Sequence, residues 1–134
     1  MQYLVALAAL AGAAVAQSVG ISAPPSNAKV SAGSDITVKV SKPNSLSSSE
    51  EIGIAIAIGN IDKDPSEVFG DVLYHGPYDP VYHESTQAPY QNFTITIPSS
   101  QAKGAARINV AHAALIGAGP EPWLETVTSN ITIV

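Results

Sequence analysis

The chain has no cysteine among its 134 residues. This absence excludes disulfide bonds, thiolate metal sites, thiol nucleophiles and thiol redox chemistry. Small secreted domains often depend on disulfides because their cores are small. A chain of this length can nevertheless bury roughly 65 to 70% of its unfolded surface in one domain. We therefore expect a fold that is stabilised by side-chain packing and backbone pairing alone.

Charged residues are also scarce. Asp, Glu, Lys and Arg make up 13% of the chain, and the formal net charge is −5. The six basic residues are spread from Lys29 to Arg107, so they form no cluster of the kind that binds nucleic acid or an anionic membrane. We therefore expect neither nucleic acid nor a membrane as a partner.

Catalytic motifs are missing as well. The sequence contains no G-x-S-x-G nucleophile motif and no recognisable pair of catalytic carboxylates. A copper oxygenase of the secreted β-sandwich type would need histidine as its first mature residue, and Gln17 occupies the expected place. We therefore expect a protein that is not an enzyme and that needs no cofactor.

The N-terminal segment is apolar and has no charged side chain. Residues 1–16 read MQYLVALAALAGAAVA, which ends in small residues and is too short for a bilayer span of roughly 20 residues. This pattern predicts a signal peptide at residues 1–16, cleaved before Gln17, and a single secreted domain at residues 17–134. The alternative, a buried N-terminal helix, does not explain the abrupt change to Ser- and Pro-rich sequence at Ser18.

Large apolar residues alternate with polar or small residues in several segments. In residues 52–58, isoleucine alternates with Gly and Ala, which predicts a central strand with one apolar face and one smooth face. The same pattern predicts six further strands, at residues 19–23, 36–40, 72–74, 93–97, 106–116 and 125–134. About seven strands predict an all-β, antiparallel sandwich of the immunoglobulin or fibronectin III type. A jelly roll or a small barrel is the alternative.

Two N-x-T sequons lie within predicted strands. They begin at Asn92 and Asn130, and both asparagines fall on the polar face of the alternating pattern. Side chains on the polar face point away from the core, so a sugar attached there would not disturb the packing. We therefore predict N-glycosylation at both positions.

The three histidines fall into two groups. His75 and His83 accompany acidic residues in a segment that is interrupted by prolines, so we expect an exposed loop there and no metal site. His112 shares a face with Ile108 and Val110, which predicts a buried, neutral histidine that is hydrogen-bonded to the backbone. A pH-sensing role for His112 stays open.

Most large aromatic residues lie in or beside two predicted loops, at residues 76–90 and 117–123. Loop aromatics on a β-sandwich often anchor a partner. We therefore predict a protein-binding surface with Tyr78, Tyr82 and Trp123 as anchors. Two alternatives stay open, since the rings could instead close the ends of the sandwich or stack on sugars.

Five segments carry a resemblance to a known family. They are ISAP at 21–24, IGIAIAIG at 52–59, GDVLYHGPY at 70–78, FTITIP at 93–98 and GAARINVAHAALIGAG at 104–119. Together they resemble the necrosis-inducing secreted proteins, a family of fungal effectors. The resemblance covers most of the chain after the predicted signal peptide.

The resemblance implies a non-enzymatic protein that a fungus secretes during plant colonisation. It further implies suppression of pattern-triggered immunity through binding and inhibition of host plant receptor-like kinases, with cell death provoked by some members. The site of action is then either the extracellular space or the host cytoplasm. We expect a monomer. The alternative function is an extracellular module that binds cell-wall carbohydrate.

Overall fold

A computed structural model describes residues 18–44 and 48–134, so the predicted signal peptide at residues 1–16 lies outside the described residues. The described part is all-β, as predicted. Its strands are β1 Gly20–Ala23, β2 Ala28–Val30, β3 Asp35–Ser41, β4 Ser49–Gly59, β5 Asp71–Gly76, β6 Tyr90–Thr96, β7 Gly104–Ile116 and β8 Glu121–Ile133. In the described residues, no helix is long and apolar enough to cross a membrane.

The strands form two sheets of unequal size. The smaller sheet has the order β1-β3-β6, and the larger has the order β2-β8-β7-β4-β5. All named strand pairs are antiparallel except β2 and β8, which run parallel. Strands β3 and β6 take the places of immunoglobulin strands B and E, while β4, β7 and β8 take those of C, F and G. The predicted immunoglobulin-type sandwich is therefore confirmed.

The core lies between the inner faces of the two sheets. In β4, the buried residues Ile54, Ile56 and Ile58 alternate with Gly and Ala. From the smaller sheet, Phe93 and Ile95 of β6 are buried in the same core. Burial of one such side chain contributes roughly 1.5 to 3 kcal/mol to stability. Turning the other face of a strand inward would expose all of its large apolar side chains, so the strict alternation determines which face is buried.

The structure adds one strand to those predicted from the sequence and extends several others. Strand β2 was not among the predicted strands, but it pairs with β8. This pairing joins residues about a hundred positions apart, and a three-residue strand carries no periodic signal of its own. Strand β6 begins at Tyr90, and β8 begins at Glu121, because each pairs with its neighbour beyond the alternating stretch.

The connection between β4 and β5 is hydrogen-bonded to the outer face of the larger sheet. Asn109 of β7 donates a hydrogen bond from Nδ2 to the carbonyl oxygen of Phe69, at 2.8 Å. A Cβ atom at Gly70 would lie 2.2 Å from the carbonyl oxygen of Ile58, and Gly70 has a φ of 103°. The close contact and the positive φ both favour glycine at this position.

Candidate functional site

One end of the sandwich brings the two predicted loops close to the β3–β4 connection. Gly117 N donates to the carbonyl oxygen of Ser48 at 2.8 Å, and Lys42 N donates to that of Pro89 at 2.9 Å. We call this region the loop end, which comprises residues 42–44, 48–49, 77–89 and 117–120. Both loops therefore lie at the same end of the sandwich, each hydrogen-bonded to the β3–β4 connection.

Four charged side chains form a row that begins at Lys42 in the loop end and crosses three strands of the larger sheet. Lys42 Nζ lies 2.7 Å from Glu51 Oε1, and the other carboxylate oxygen of Glu51 is hydrogen-bonded to His112 Nε2. On its far side, His112 Nδ1 lies 3.8 Å from Glu125 Oε2. We call Lys42, Glu51, His112 and Glu125 the charge chain. Because its signs alternate, each charge lies beside an opposite one.

His112 is the central member of the charge chain, and its side chain is only 2% exposed. Burial alone would lower its pKa, but the carboxylates of Glu125 and Glu51 outweigh that effect and raise the pKa of His112 to about 9. The prediction of a buried histidine was correct. The prediction of a neutral side chain bonded to the backbone was wrong, because two carboxylates flank the ring.

The two carboxylates of the charge chain also bind other groups. Glu125 Oε1 accepts a hydrogen bond from the backbone N–H of Val19 at 2.7 Å, and Trp123 Nε1 donates to the same carboxylate. Burial acts to raise the pKa of Glu125 and of Glu51, but the hydrogen bonds from His112 and the other donors hold both below their ordinary values. Both carboxylates are therefore ionised in neutral solution.

The charge chain joins the two sheets. Val19 and Lys42 flank strands of the smaller sheet, since Val19 precedes β1 and Lys42 follows β3. The other three members, Glu51, His112 and Glu125, lie on three neighbouring strands of the larger sheet. The arrangement suits a polar cross-link in a sandwich that has no disulfide.

Tyr78, one of the predicted contact anchors, is buried in the structure. The residue is 4% exposed, and its hydroxyl donates to the carbonyl oxygen of Val40 at 3.1 Å. Its ring centroid lies 5.4 Å from that of His112, edge to face, and 6.2 Å from that of Phe93. Burial raises the pKa of Tyr78. Because its loop folds back over the core, Tyr78 closes the end of the sandwich, as the alternative interpretation held.

The other two predicted anchors differ in exposure. Tyr82 is 64% exposed, and its hydroxyl donates to Asn44 Oδ1. Trp123 is half-buried within β8, opposite Ala114, instead of lying in a loop. Of the three predicted anchors, Tyr82 therefore presents the most ring surface to a partner. Whether any of the three binds a partner stays a prediction.

The His- and acid-rich segment is part of the loop end. The ring of His83 stacks on Tyr90 with centroids 3.9 Å apart, and the Tyr90 hydroxyl donates to Glu84 Oε1 at 3.2 Å. His75 lies apart from them on β5. Within residues 18–44 and 48–134, no three His, Asp or Glu side chains are grouped so that they could hold a metal ion.

The two sequons occupy different surroundings. Asn92 is exposed on the outer face of the smaller sheet, opposite Lys39. Asn130 is half-buried on β8, where its Oδ1 accepts a hydrogen bond from Arg107 Nε at 3.3 Å. The guanidinium of Arg107 also donates to two carbonyl oxygens of the β4–β5 connection. Asn92 is therefore the more accessible acceptor.

Sequence reasoning missed three members of the charge chain: Lys42, Glu51 and Glu125. A usable signal exists only for Glu125, which has the same strand phase as Val127 and Ile131 and thus falls on the inner face of β8. A carboxylate in the apolar phase of a strand requires a buried partner. Glu51 lies beside a β-bulge between Glu51 and Gly53, which shifts its phase relative to the isoleucines that follow.

Comparison with protein-family models matches residues 14–132 to the Nis1 family. The chain belongs to the Nis1 family. This is a family of fungal effectors, so the match confirms the family to which the motifs pointed and indicates an effector-type protein. Among the curated proteins, no match was found.

Comparison with solved structures returns a superoxide reductase (neelaredoxin) from Ignicoccus hospitalis. The TM-score is 0.52 at 17% sequence identity, over 87% of this chain and 80% of the other. At this identity, the likeness concerns the fold alone.

Proposed function

We propose that this Nis1-family protein is a secreted effector that acts by binding host plant receptor-like kinases and inhibiting them, and so suppresses pattern-triggered immunity. The observation that carries the proposal is the family match over residues 14–132. The paired, buried state of the charge chain is consistent with binding instead of catalysis. The signal-peptide pattern at residues 1–16 supports secretion.

The loop end is the proposed contact surface for the kinase. Tyr82 is its most exposed aromatic ring, and Val81 beside it is 47% exposed. An exposed tyrosine offers a large apolar area with one polar end, which is typical of contact residues that dominate binding energy. Trp123 contributes a half-buried ring that is held in place by Glu125.

The test is a pull-down of purified receptor-like kinase domains with the secreted protein, together with an assay of kinase activity. We expect capture and inhibition by the natural sequence, and capture weakened about tenfold or more by Tyr82→Ala, as for a residue that dominates a contact. The matched control is Val134→Ala, which trims another exposed apolar side chain. Equal capture by a misfolded preparation, or no capture, would refute the proposal.

The carbohydrate-binding alternative is separated by sedimentation with chitin and with β-glucan. A sugar platform requires several exposed rings in one plane, whereas Tyr78 is buried and Trp123 half-buried. We therefore expect the protein to stay in the supernatant. Retention on either polysaccharide that disappears in Trp123→Ala would favour the alternative.

A further inference from the structure

A shallow groove of about 650 Å³ runs across the outer face of the larger sheet. Its floor consists of Gly and Ala on the two central strands, which lets another chain approach the sheet closely. The floor residues are Gly53 and Ala55 of β4 and Ala111 and Ala113 of β7. These four residues point outward, on the side of the strands opposite the buried isoleucines of the core.

Two large apolar side chains are exposed on this face of the larger sheet. Leu124 of β8 lines the groove, pairs with Ala113 and is 78% exposed. Val72 of β5, on the same face opposite Ala57, is 52% exposed. The outer face of the smaller sheet is different, because Thr37, Asn92 and other polar residues are exposed there. The two outer faces of the sandwich thus differ in chemistry.

The β4–β5 connection contributes Ser66 to the lining of the groove. The N–H and hydroxyl of Ser66 donate to Asp64 Oδ1 at 2.9 and 2.7 Å, which places the Asp64 carboxylate beside the groove. Residues 60–71 carry four carboxylates and one lysine. The guanidinium of Arg107 donates to two carbonyl oxygens of this segment and adds one positive charge. The combined charge is still negative.

We propose that this groove docks an extended protein segment of a partner, in which aliphatic side chains alternate with Lys or Arg. The aliphatic side chains would lie against the Ala and Gly floor beside Leu124, and the basic groups would reach Asp64 and Glu67, the carboxylates next to Ser66 in the chain. An apolar floor beside a segment of one charge sign selects for the opposite sign in its occupant. The inference goes beyond the proposed function, since it concerns a different face.

The test is an NMR titration of the isotope-labelled mature protein with two defined peptides. One peptide has the sequence Lys-Leu-Arg-Leu-Lys, and the other is Glu-Leu-Asp-Leu-Glu, both with blocked ends. We expect saturable shifts of the amide signals of Gly53, Ala55, Ala111 and Ala113 with the basic peptide alone. The affinity should fall as salt rises, because exposed charges are screened.

Variants separate the apolar contribution from the charged one. Leu124→Ala should weaken the basic peptide about fivefold or more, because a large exposed side chain no longer becomes buried on binding. Its matched control is Val81→Ala at the loop end. The pair Asp64→Asn with Glu67→Gln should weaken binding about twofold to fivefold and flatten its salt dependence, whereas Asp79→Asn should change neither.

Three outcomes would overturn the proposal. They are no shift with the basic peptide, equal shifts with the acidic peptide, and concentration-dependent self-association that shifts the same amides without any peptide. Failure of kinase capture leaves this titration unaffected, and failure of the titration leaves kinase capture unaffected, so the two proposals are tested separately.

Discussion

His112 Nε2 is hydrogen-bonded to Glu51 Oε2, although 61 residues separate the two along the chain. The contact crosses from β7 to β4 and lies at the centre of the charge chain. Because breaking one partner of a buried pair leaves an uncompensated charge, the stability of the fold should depend on the ionisation of these groups. Several properties of the protein can be derived from this arrangement and from the packing around it.

Stability should be greatest in mildly acidic solution. The pKa of His112 is raised from 6.5 to about 9, so its stabilisation is complete below pH 6.5 and is lost as the pH rises towards 9. Glu51 and Glu125 have lowered pKa values, so their stabilisation is present above their ordinary value of 4.5 and is lost as the pH falls. The loss on the alkaline side should be on the order of 1 to 3 kcal/mol.

Urea unfolding at a series of pH values measures this dependence. The variant His112→Gln should be less stable at pH 5.5 and should lose the dependence between pH 6.5 and 9. A wild-type unfolding free energy that is constant from pH 5.5 to 9 would contradict the raised pKa.

Tyr78 should matter for stability and Tyr82 should not. Tyr78→Ala removes a buried ring, which costs about 3 to 5 kcal/mol. Tyr78→Phe removes the hydrogen bond to Val40, which costs about 1 to 2 kcal/mol. Tyr82→Ala should stay within about 0.5 kcal/mol of wild type, because its ring is exposed. Thermal unfolding of the three variants gives the comparison, and equal midpoints for Tyr78→Ala and Tyr82→Ala would place both rings in solvent.

Gly70 should be far less tolerant of alanine than Gly104. Both have a positive φ, at 103° and 117°, so alanine strains the backbone by about 1 to 3 kcal/mol at either position. Only Gly70 has a close neighbour, the carbonyl oxygen of Ile58 at 2.2 Å from an added Cβ. Gly70→Ala should therefore lower the unfolding free energy by clearly more than Gly104→Ala. The reverse order in urea unfolding would refute the close approach of β4 to residue 70.

Glycan occupancy should differ between the sequons. We predicted both Asn92 and Asn130 as acceptors, and the surroundings favour Asn92 because it is exposed on the smaller sheet. Mass spectrometry of secreted protein before and after deglycosylation should show a sugar at Asn92 that Asn92→Gln removes without loss of stability. Asn130→Gln should cost about 1 kcal/mol, since it disturbs the contact with Arg107. An unmodified Asn92 in secreted protein would contradict this prediction.

Much of the fold could be predicted from the sequence because its strands bury one face. The alternation of isoleucine in β4 and of Phe93 and Ile95 in β6 is a local signal in the sequence. Burial alternates in the same way in the structure. Strand β2 could not be found in this way, because three residues carry no period and the partner is at the far end of the chain. Trp123 was placed in a loop, whereas β8 already begins at Glu121 because it pairs with β7 beyond the alternating stretch.

The candidate site was harder to predict than the fold. The burial of His112 follows from its phase in β7, but its charge depends on Glu51 and Glu125, which lie on other strands. The burial of Tyr78 depends on how residues 77–89 fold back over the core. A loop has no periodic pattern, so its path could not be predicted from the sequence. Properties that arise from contacts distant in sequence were therefore the ones that sequence reasoning missed.

The most direct measurement for the proposed function is the affinity of the secreted protein for a purified receptor-like kinase domain, determined by interferometry with simultaneous assay of kinase activity. We predict saturable binding that lowers kinase activity, with affinity reduced in Tyr82→Ala although that variant keeps wild-type stability. Absence of binding by a protein that unfolds cooperatively, or equal affinity of wild type and Tyr82→Ala, would contradict the proposed mode of action at the loop end.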